Sequence, residues 1–296
     1  MNRVPSRFLI IGAQGFIGAH LARVAADRFE VFSGDLSTPS SDRELRVDIT
    51  DPASVRHAFD RVRPDLVALA AAVSDIDLCE REKERAAAVN VTGAGHVVDE
   101  CARIGARLVF TSSAAVFDGT RHGYREEDPP NPVSFYGQSK ARAEAAITAT
   151  LPGAVIVRMA LVLGFGAGRS TNALLNRLAD SFRAGRPVTV PDYEYRNPID
   201  AGTLSRFIVE LAASPDAAGI FHIGSSDSLS RFELVSRLAG KMGYSRDLVV
   251  PQRAPVPGRA PRGLDHFLLT GRVRAFCRTP IPSCDQVIER CFDATS

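Results

Sequence analysis

The chain has no tryptophan, only three methionines, and five cysteines in 296 residues. Cys79, Cys101, Cys277, Cys284 and Cys291 are odd in number and far apart, which excludes a small disulfide scaffold and offers none of the close pairs of a zinc site. Such usage fits a reducing, cytoplasmic setting. Cys284 and Cys291 are spaced to pack one face of a terminal helix rather than to hold a metal. No apolar run approaches the length of a membrane span. Residues Met1 to Arg7 lead straight into an apolar stretch, with no room for a charged-then-apolar secretory signal. A long basic tract is also lacking. Lys and Arg number 36 against 34 Asp and Glu, and the net charge of +2 argues for neither nucleic acid nor membrane as a partner. The six histidines are scattered, with no metal-ligand spacing, and there is no internal repeat or low-complexity tract.

What is present is ordinary globular composition, 45% apolar and 24% charged, in a chain long enough for one large α/β domain or a domain with a smaller lobe. Short apolar runs at Phe8–Ile11, Val31–Phe32, Leu45–Val47, Leu66–Ala70, Leu108–Phe110 and Val155–Val157 alternate with helix-like segments. That alternation predicts a doubly wound parallel sheet covered on both faces. Asp51-Pro52 and the Ala-rich stretch Arg85 to Ala102 mark two covering helices. After about residue 160 the alternation weakens, interrupted by Gly164 to Gly168 and by the Pro-rich Pro251 to Pro261. We therefore expect a dinucleotide-type domain over 1–163 and a smaller C-terminal lobe over 164–296. The short strands at Asn197–Asp200 and Gly219–Ile223 suggest that about 197–223 returns to the first domain.

The first apolar run ends in Gly12-Ala13-Gln14-Gly15-Phe16-Ile17-Gly18 and feeds a helix-forming segment. A glycine turn of this kind lets backbone N–H groups approach a pyrophosphate at the positive end of a helix. The spacing alone also suits a tight turn without a ligand. Asp35 ends the second strand about twenty residues further on, where a carboxylate can accept hydrogen bonds from ribose hydroxyls. It favours NAD over NADP, although Arg43 or Arg46 could offset its charge against a 2′-phosphate.

Tyr136 and Lys140 are four apart and share a helix face. A tyrosine, with a pKa ordinarily near 10, becomes a usable acid or base when an ammonium and an oxidised nicotinamide favour its phenolate. Ser113, at the C-terminal end of a buried strand, is placed to hydrogen-bond a reacting carbonyl or hydroxyl, although a Ser pair there also serves as a cap or turn former.

Together these segments make the chain resemble an extended short-chain dehydrogenase/reductase. The further matches are Asp48-Ile49, Ala70-Ala71-Ala72, Asn90, Ser112-Ser113, Glu126 with Asp128 before Pro132, and Tyr136-Gly137-Gln138-Ser139-Lys140. Within that family it is most similar to the dTDP-4-dehydrorhamnose reductase branch, through Val73 to Glu80, Val116 to Gly119, Gly219 to Gly224 with Leu229-Ser230-Arg231, and Pro261 to Asp265. The resemblance implies a Rossmann fold with a substrate-binding lobe, and NAD or NADP as cofactor. It places the cofactor on Gly12, Gln14, Gly15, Phe16, Ile17, Gly18, Asp35, Asp48, Ile49, Ala70, Ala71, Ala72, Asn90, Thr111, Tyr136 and Lys140. Ser113, Tyr136 and Lys140 would be catalytic. A 4-keto sugar nucleotide would be the substrate, held by Val73, Ser113, Ala114, Arg196 and Arg262. Homodimers built on helices are common in the family, an analogy only.

Two departures stand out. The branch usually carries Ser-Thr-Asp-Tyr where this chain has Ser112-Ser113-Ala114-Ala115, so Ser113 replaces a Thr while the Asp and Tyr are absent. The segment Asp192 to Pro198 also differs. Ala114-Ala115 argues against a 4,6-dehydratase. A sugar-nucleotide 4-epimerase, a reductase of a non-sugar ketone, and a non-catalytic nucleotide-binding regulatory subunit similar to the β subunit of methionine adenosyltransferase remain alternatives. Arg253, Arg259, Arg262, Arg272, Arg274 and Arg278 make the last quarter locally basic, which suits a phosphate-bearing ligand.

Overall fold

In the computed structural model, which describes residues 6–166 and 173–293, the apolar runs of the first half become the strands of one sheet. Residues 1–5 and, in the glycine-rich break, Ala167 and Gly168 lie outside the described residues. The strands are β1 (Arg7–Ile11), β2 (Glu30–Asp35), β3 (Glu44–Arg46), β4 (Leu66–Leu69), β5 (Arg107–Ser113) and β6 (Val155–Met159). Phe8 and Ile10 of β1 face one core while Leu9 and Ile11 face the other, the two-sided burial that makes a central parallel strand read as an unbroken apolar run. Between them lie α1 (Phe16–Ala25), α2 (Pro52–Val62), α3 (Ile76–Arg81), α4 (Lys83–Ala87), α5 (Ala94–Ile104) and α6 (Phe135–Thr150). Asp51 caps α2 by accepting the Ala53 N–H, with Pro52 at the first helical position where its missing donor costs nothing.

The continuous helix expected over Arg85 to Ala102 is interrupted. A π-helical turn, Ala88–Gly93, separates α4 from α5, and it carries Asn90 inward until that residue is 2% exposed. Such an inserted turn re-aims side chains and recurs at functional sites.

The second half contributes β7 (Val162–Leu163), α7 (Leu174–Arg183), β8 (Val188–Pro191), β9 (Tyr195–Arg196), β10 (Ile199–Asp200), α8 (Ala201–Ala213), β11 (Gly219–Ile223), β12 (Leu229–Ser230), α9 (Arg231–Lys241), β13 (Val249–Gln252), β14 (Asp265–His266) and α10 (Cys284–Arg290). Strand β11 adds to β6 in parallel, and α8 packs against α1, so this segment completes the first sheet rather than the lobe. The sheet order is β11-β6-β5-β4-β1-β2-β3, with the order reversing between β1 and β4. A crevice forms outside the strand C-termini at such a switch point. The lobe over it is built from the pair β13-β8 and the three-stranded β12-β9-β14. Cys284 and Cys291 are buried at the two ends of α10, whereas Cys277 lies before that helix.

Below the crevice sits a buried ion pair. Arg158 on β6 is 1% exposed, donates to Glu144 on α6 from Nε at 3.0 Å and Nη2 at 2.7 Å, and lies 5.0 Å from the Phe117 ring centroid. The Ser112 hydroxyl also donates to Glu144. Arg158→Met leaves a buried carboxylate without its counterion and is expected to cost about 3–5 kcal/mol. In urea denaturation the double variant Arg158→Met/Glu144→Gln should recover part of that loss.

Candidate active site

The crevice opens with the glycine turn. Gly12 has φ +90°, and a Cβ there would stand 2.5 Å from the Ala71 nitrogen, so only glycine lets β1 turn this close to the end of β4. Its N–H donates to the Gly34 carbonyl at 2.8 Å. Gly15 then takes the N-cap position before α1, with no side chain to cap the first N–H groups. Next to the turn, a cavity of about 580 Å³ is lined by Gly12, Asp35, Asp48, Ile49 and Ala70 to Val73 among others. The Asp35 carboxylate accepts the Gln14 N–H at 3.1 Å and the Leu36 N–H at 2.8 Å. Gln14 thus touches the site through its backbone and lines neither cavity. Arg46 pairs in register with Asp35 on the neighbouring strand, whereas Arg43 is drawn to Glu30 at 3.4 Å. Thr50 donates to Asp48 from its N–H and hydroxyl at 2.9 and 2.7 Å and holds that carboxyl below its ordinary range.

A second cavity, of about 490 Å³, shares Gly15, Ala70 and Ala72 with the first and continues to the lobe. Phe16, Ile17, Gly18, Thr111, Ser113, Ala114, Tyr136, Lys140, Arg196 and Arg262 all border it, so most of the expected site residues line these two adjoining cavities. The glycine cradle and the adjoining cavities fit an extended dinucleotide. Besides Gln14, two residues stand elsewhere than expected. Val73 lines the first cavity, on the cofactor side. Asn90 lines neither: its amide accepts the Val73 N–H at 2.9 Å and donates to the Val73 carbonyl at 3.0 Å and the Ser139 hydroxyl at 3.1 Å.

Tyr136 reaches Ser113 because α6 comes down onto the segment after β5. Ser134 caps α6 through the Gly137 N–H at 3.2 Å, and a Cβ on Gly137 would collide with the Ala115 carbonyl oxygen. Lys140, one turn on, lies 4.3 Å from the Phe110 ring centroid. Burial sets both titrations. It pushes the Tyr136 phenol up to about 12, with the Ser113 hydroxyl pulling the other way, and the Lys140 ammonium down to about 8, with the Glu144 carboxylate opposing. In the free protein desolvation is thus the largest influence on the phenol, whereas the expected lowering concerns the phenol with both the ammonium and an oxidised nicotinamide beside it. Ser113 Oγ accepts the Ala115 N–H at 3.1 Å. The Ser113 hydroxyl also lies within hydrogen-bond reach of the Tyr136 phenol.

On the lobe side, Arg196 donates from Nη1 to the carbonyls of Tyr195 and Leu264 at 2.6 and 3.1 Å and from Nη2 to that of Gly263 at 3.0 Å. Arg262 grips both oxygens of Asp77, at 3.1 and 2.7 Å. Arg231 joins them in the wall. Sequence reasoning passes over it: the run Leu229-Ser230-Arg231 marks a family segment, but nothing local marks that arginine as facing a cavity.

A family model described as "RmlD substrate binding domain" matches residues 6–296. The chain is similar to a dTDP-4-dehydrorhamnose reductase of Mycobacterium tuberculosis, 34% identical over 266 residues that cover 86% of this chain and 82% of the relative. It is also similar to methionine adenosyltransferase 2 subunit beta of Bos taurus, 27% identical over 81% of this chain and 73% of that protein. Among solved structures, dTDP-4-dehydrorhamnose reductase from Bacillus anthracis in complex with NADP superposes with a TM-score of 0.88 at 24% identity, covering 97% of this chain and 99% of that one.

The close approach at Gly137 gives a direct check. Gly137→Ala should cost about 1–3 kcal/mol by overpacking, whereas Gly153→Ala, whose Cβ meets nothing within 4 Å, should stay within about 0.5 kcal/mol of the parent in urea denaturation.

Proposed function

The chain belongs to the RmlD substrate binding domain family, and from that membership we propose that it is an NAD(P)-dependent reductase of a 4-keto sugar nucleotide, with Tyr136 as general acid. The observation that carries this reading is the convergence of Ser113, Tyr136 and Lys140 on a cavity continuous with the glycine turn. When bound, a reduced nicotinamide would supply the hydride for the carbonyl carbon. Tyr136, protonated in the free protein at any neutral pH, has a proton to give to the developing alkoxide. Ser113 donates a hydrogen bond to the same oxygen and stabilises its growing charge. Lys140 would hold the nicotinamide ribose, and its ammonium would ease loss of the phenol proton. NAD is the favoured cofactor. Asp35 accepts one N–H on each oxygen and keeps lone pairs for ribose hydroxyls, while a 2′-phosphate would meet its charge. The similarity to a regulatory β subunit supports a second reading, a non-catalytic nucleotide-binding partner; the assembled Ser–Tyr–Lys group favours the enzyme.

Tyr136→Phe should bind reduced nicotinamide as the parent does, by fluorescence titration, while turnover falls about 10²–10⁴-fold. Unchanged turnover would remove Tyr136 from the chemistry. The pH profile of kcat/KM for the reduced nicotinamide, which reports the free enzyme, should fall above about pH 8 as Lys140 loses its proton. The absence of a basic limb below pH 9.5 would contradict that role.

A further inference from the structure

All six histidines lie among the described residues, and only His266 borders the catalytic cavity. It closes β14, pairs in register with Arg196 and is 6% exposed. The ring fits there because residue 263 is glycine: a Cβ on Gly263 would collide with Nε2. That nitrogen lies 3.2 Å from the Phe117 carbonyl oxygen. A carbonyl only accepts, so Nε2 carries the proton, and Nδ1 of a neutral ring is left as an acceptor. Burial and the Arg196 guanidinium keep the ring neutral, pushing its pKa down to about 3 against the pull of the Phe117 carbonyl and the Asp118 carboxylate. No partner is found for Nδ1 among the described residues, and it is not sealed in the protein as the orphaned nitrogens of His20 and His222 are.

That open nitrogen differs in kind from its surroundings. Among the described residues, every other polar side chain of the lining is a cation, Lys140, Arg196, Arg231 or Arg262, or a hydroxyl. Cations only donate, and each hydroxyl has a proton of its own to place. A ligand O–H entering this space finds in Nδ1 an acceptor free of that demand. The ring is also fixed relative to Ser113. Its anchor, the Phe117 carbonyl, follows the 3₁₀ turn Ala114–Val116, which the Ser113 hydroxyl caps by accepting the Ala115 N–H, and the Phe117 N–H donates to the Ala114 carbonyl at 3.1 Å. At a rise of about 2 Å per residue, little more than one turn separates Ser113 from that anchor. The hydroxyl and the imidazole thus border one cavity from the two ends of a short, hydrogen-bonded segment.

We propose that His266 is a specificity-determining residue whose Nδ1 accepts a hydrogen bond from a ring hydroxyl of the keto sugar, and that it thereby selects sugars carrying that hydroxyl over their deoxy counterparts. The proposal rests on the sugar-nucleotide reading above. A carbonyl held by Ser113 and Tyr136 at one end of the turn brings the neighbouring ring carbons towards the imidazole at the other. A sugar without the hydroxyl displaces water from Nδ1 and leaves it unpaired, and the cost of that unpaired acceptor is the source of the selectivity.

Steady-state reduction of a dTDP-4-keto-6-deoxy sugar and of its 2-deoxy and 3-deoxy analogues by wild type, His266→Leu and His266→Gln tests it. Wild type should lose on the order of 10–100-fold in kcat/KM on at least one analogue. His266→Leu should lose a similar factor on the parent sugar and nothing further on that analogue. His266→Gln, whose amide can donate to the Phe117 carbonyl and accept from the hydroxyl, should recover part of the loss on the parent sugar alone. An equal loss by His266→Leu on all three sugars, as loosening of the Phe117 segment would give, overturns the assignment. So does a wild type that reduces all three alike, a comparison that needs no variant to fold. Both of these results leave the sugar-nucleotide reading standing. Failure of wild type to reduce any of the three with NADH or NADPH would remove that reading and the assignment together.

Discussion

The side-chain amide of Asn90 is tied to Val73 on one side and to Ser139 on the other, and this buried bridge sets the distance between the end of β4 and helix α6. Ser139 in turn donates to the Tyr136 carbonyl at 2.7 Å, so the first turn of α6, with the phenol it carries, is held from within. A buried amide left without partners costs about 1–3 kcal/mol, which makes any slippage of α6 expensive. The π-helical turn is the means of delivery. A regular helix from Arg85 to Ala102 would turn residue 90 away by part of a turn, and the extra residue of the π turn brings its amide in. From the other side Gly137 permits α6 to close on Ala115. Asn90 and Gly137 act as a tie and a clearance, and Tyr136 stands beside Ser113 because both are present.

Around this frame, burial dominates the electrostatics. Lys140 and Tyr136 are displaced in the directions that desolvation dictates, and the Glu144–Arg158 pair below them keeps one carboxylate near Lys140 without leaving it unpaired. Burial therefore keeps the Tyr136 phenol protonated in the free site. In the lobe wall the cations outnumber the acids, with Arg196 and Arg231 both drawing on the single buried carboxylate of Glu194.

The strands, the cap at Asp51-Pro52 and the glycine turn were legible in the sequence because each is marked by residues within a few positions of one another. So was the grouping of Ser113, Tyr136 and Lys140, which the switch point of the sheet brings to one crevice. Three features were not. The π turn leaves no local signature in an Ala-rich helix. The commitments of Arg196 and Arg262 depend on partners 68 and 185 residues away, at Leu264 and Asp77. The place of Arg231 in the wall follows only from how Glu194 is shared. An arginine in a sequence reveals its charge, whereas its availability is a property of what surrounds it.

The most direct test of the account is to supply reduced nicotinamide deuterated at C4 together with a dTDP-4-keto-6-deoxy sugar and to locate the deuterium in the products by NMR. The account predicts one deuterium at C4 of the new alcohol, with stoichiometric appearance of oxidised cofactor. Cofactor that stays reduced with its deuterium in place, while it binds tightly, would contradict a ketoreductase and turn attention to the regulatory reading; a change of configuration at C4 of a non-keto sugar nucleotide, without net change in a retained cofactor, would contradict it in favour of an epimerase.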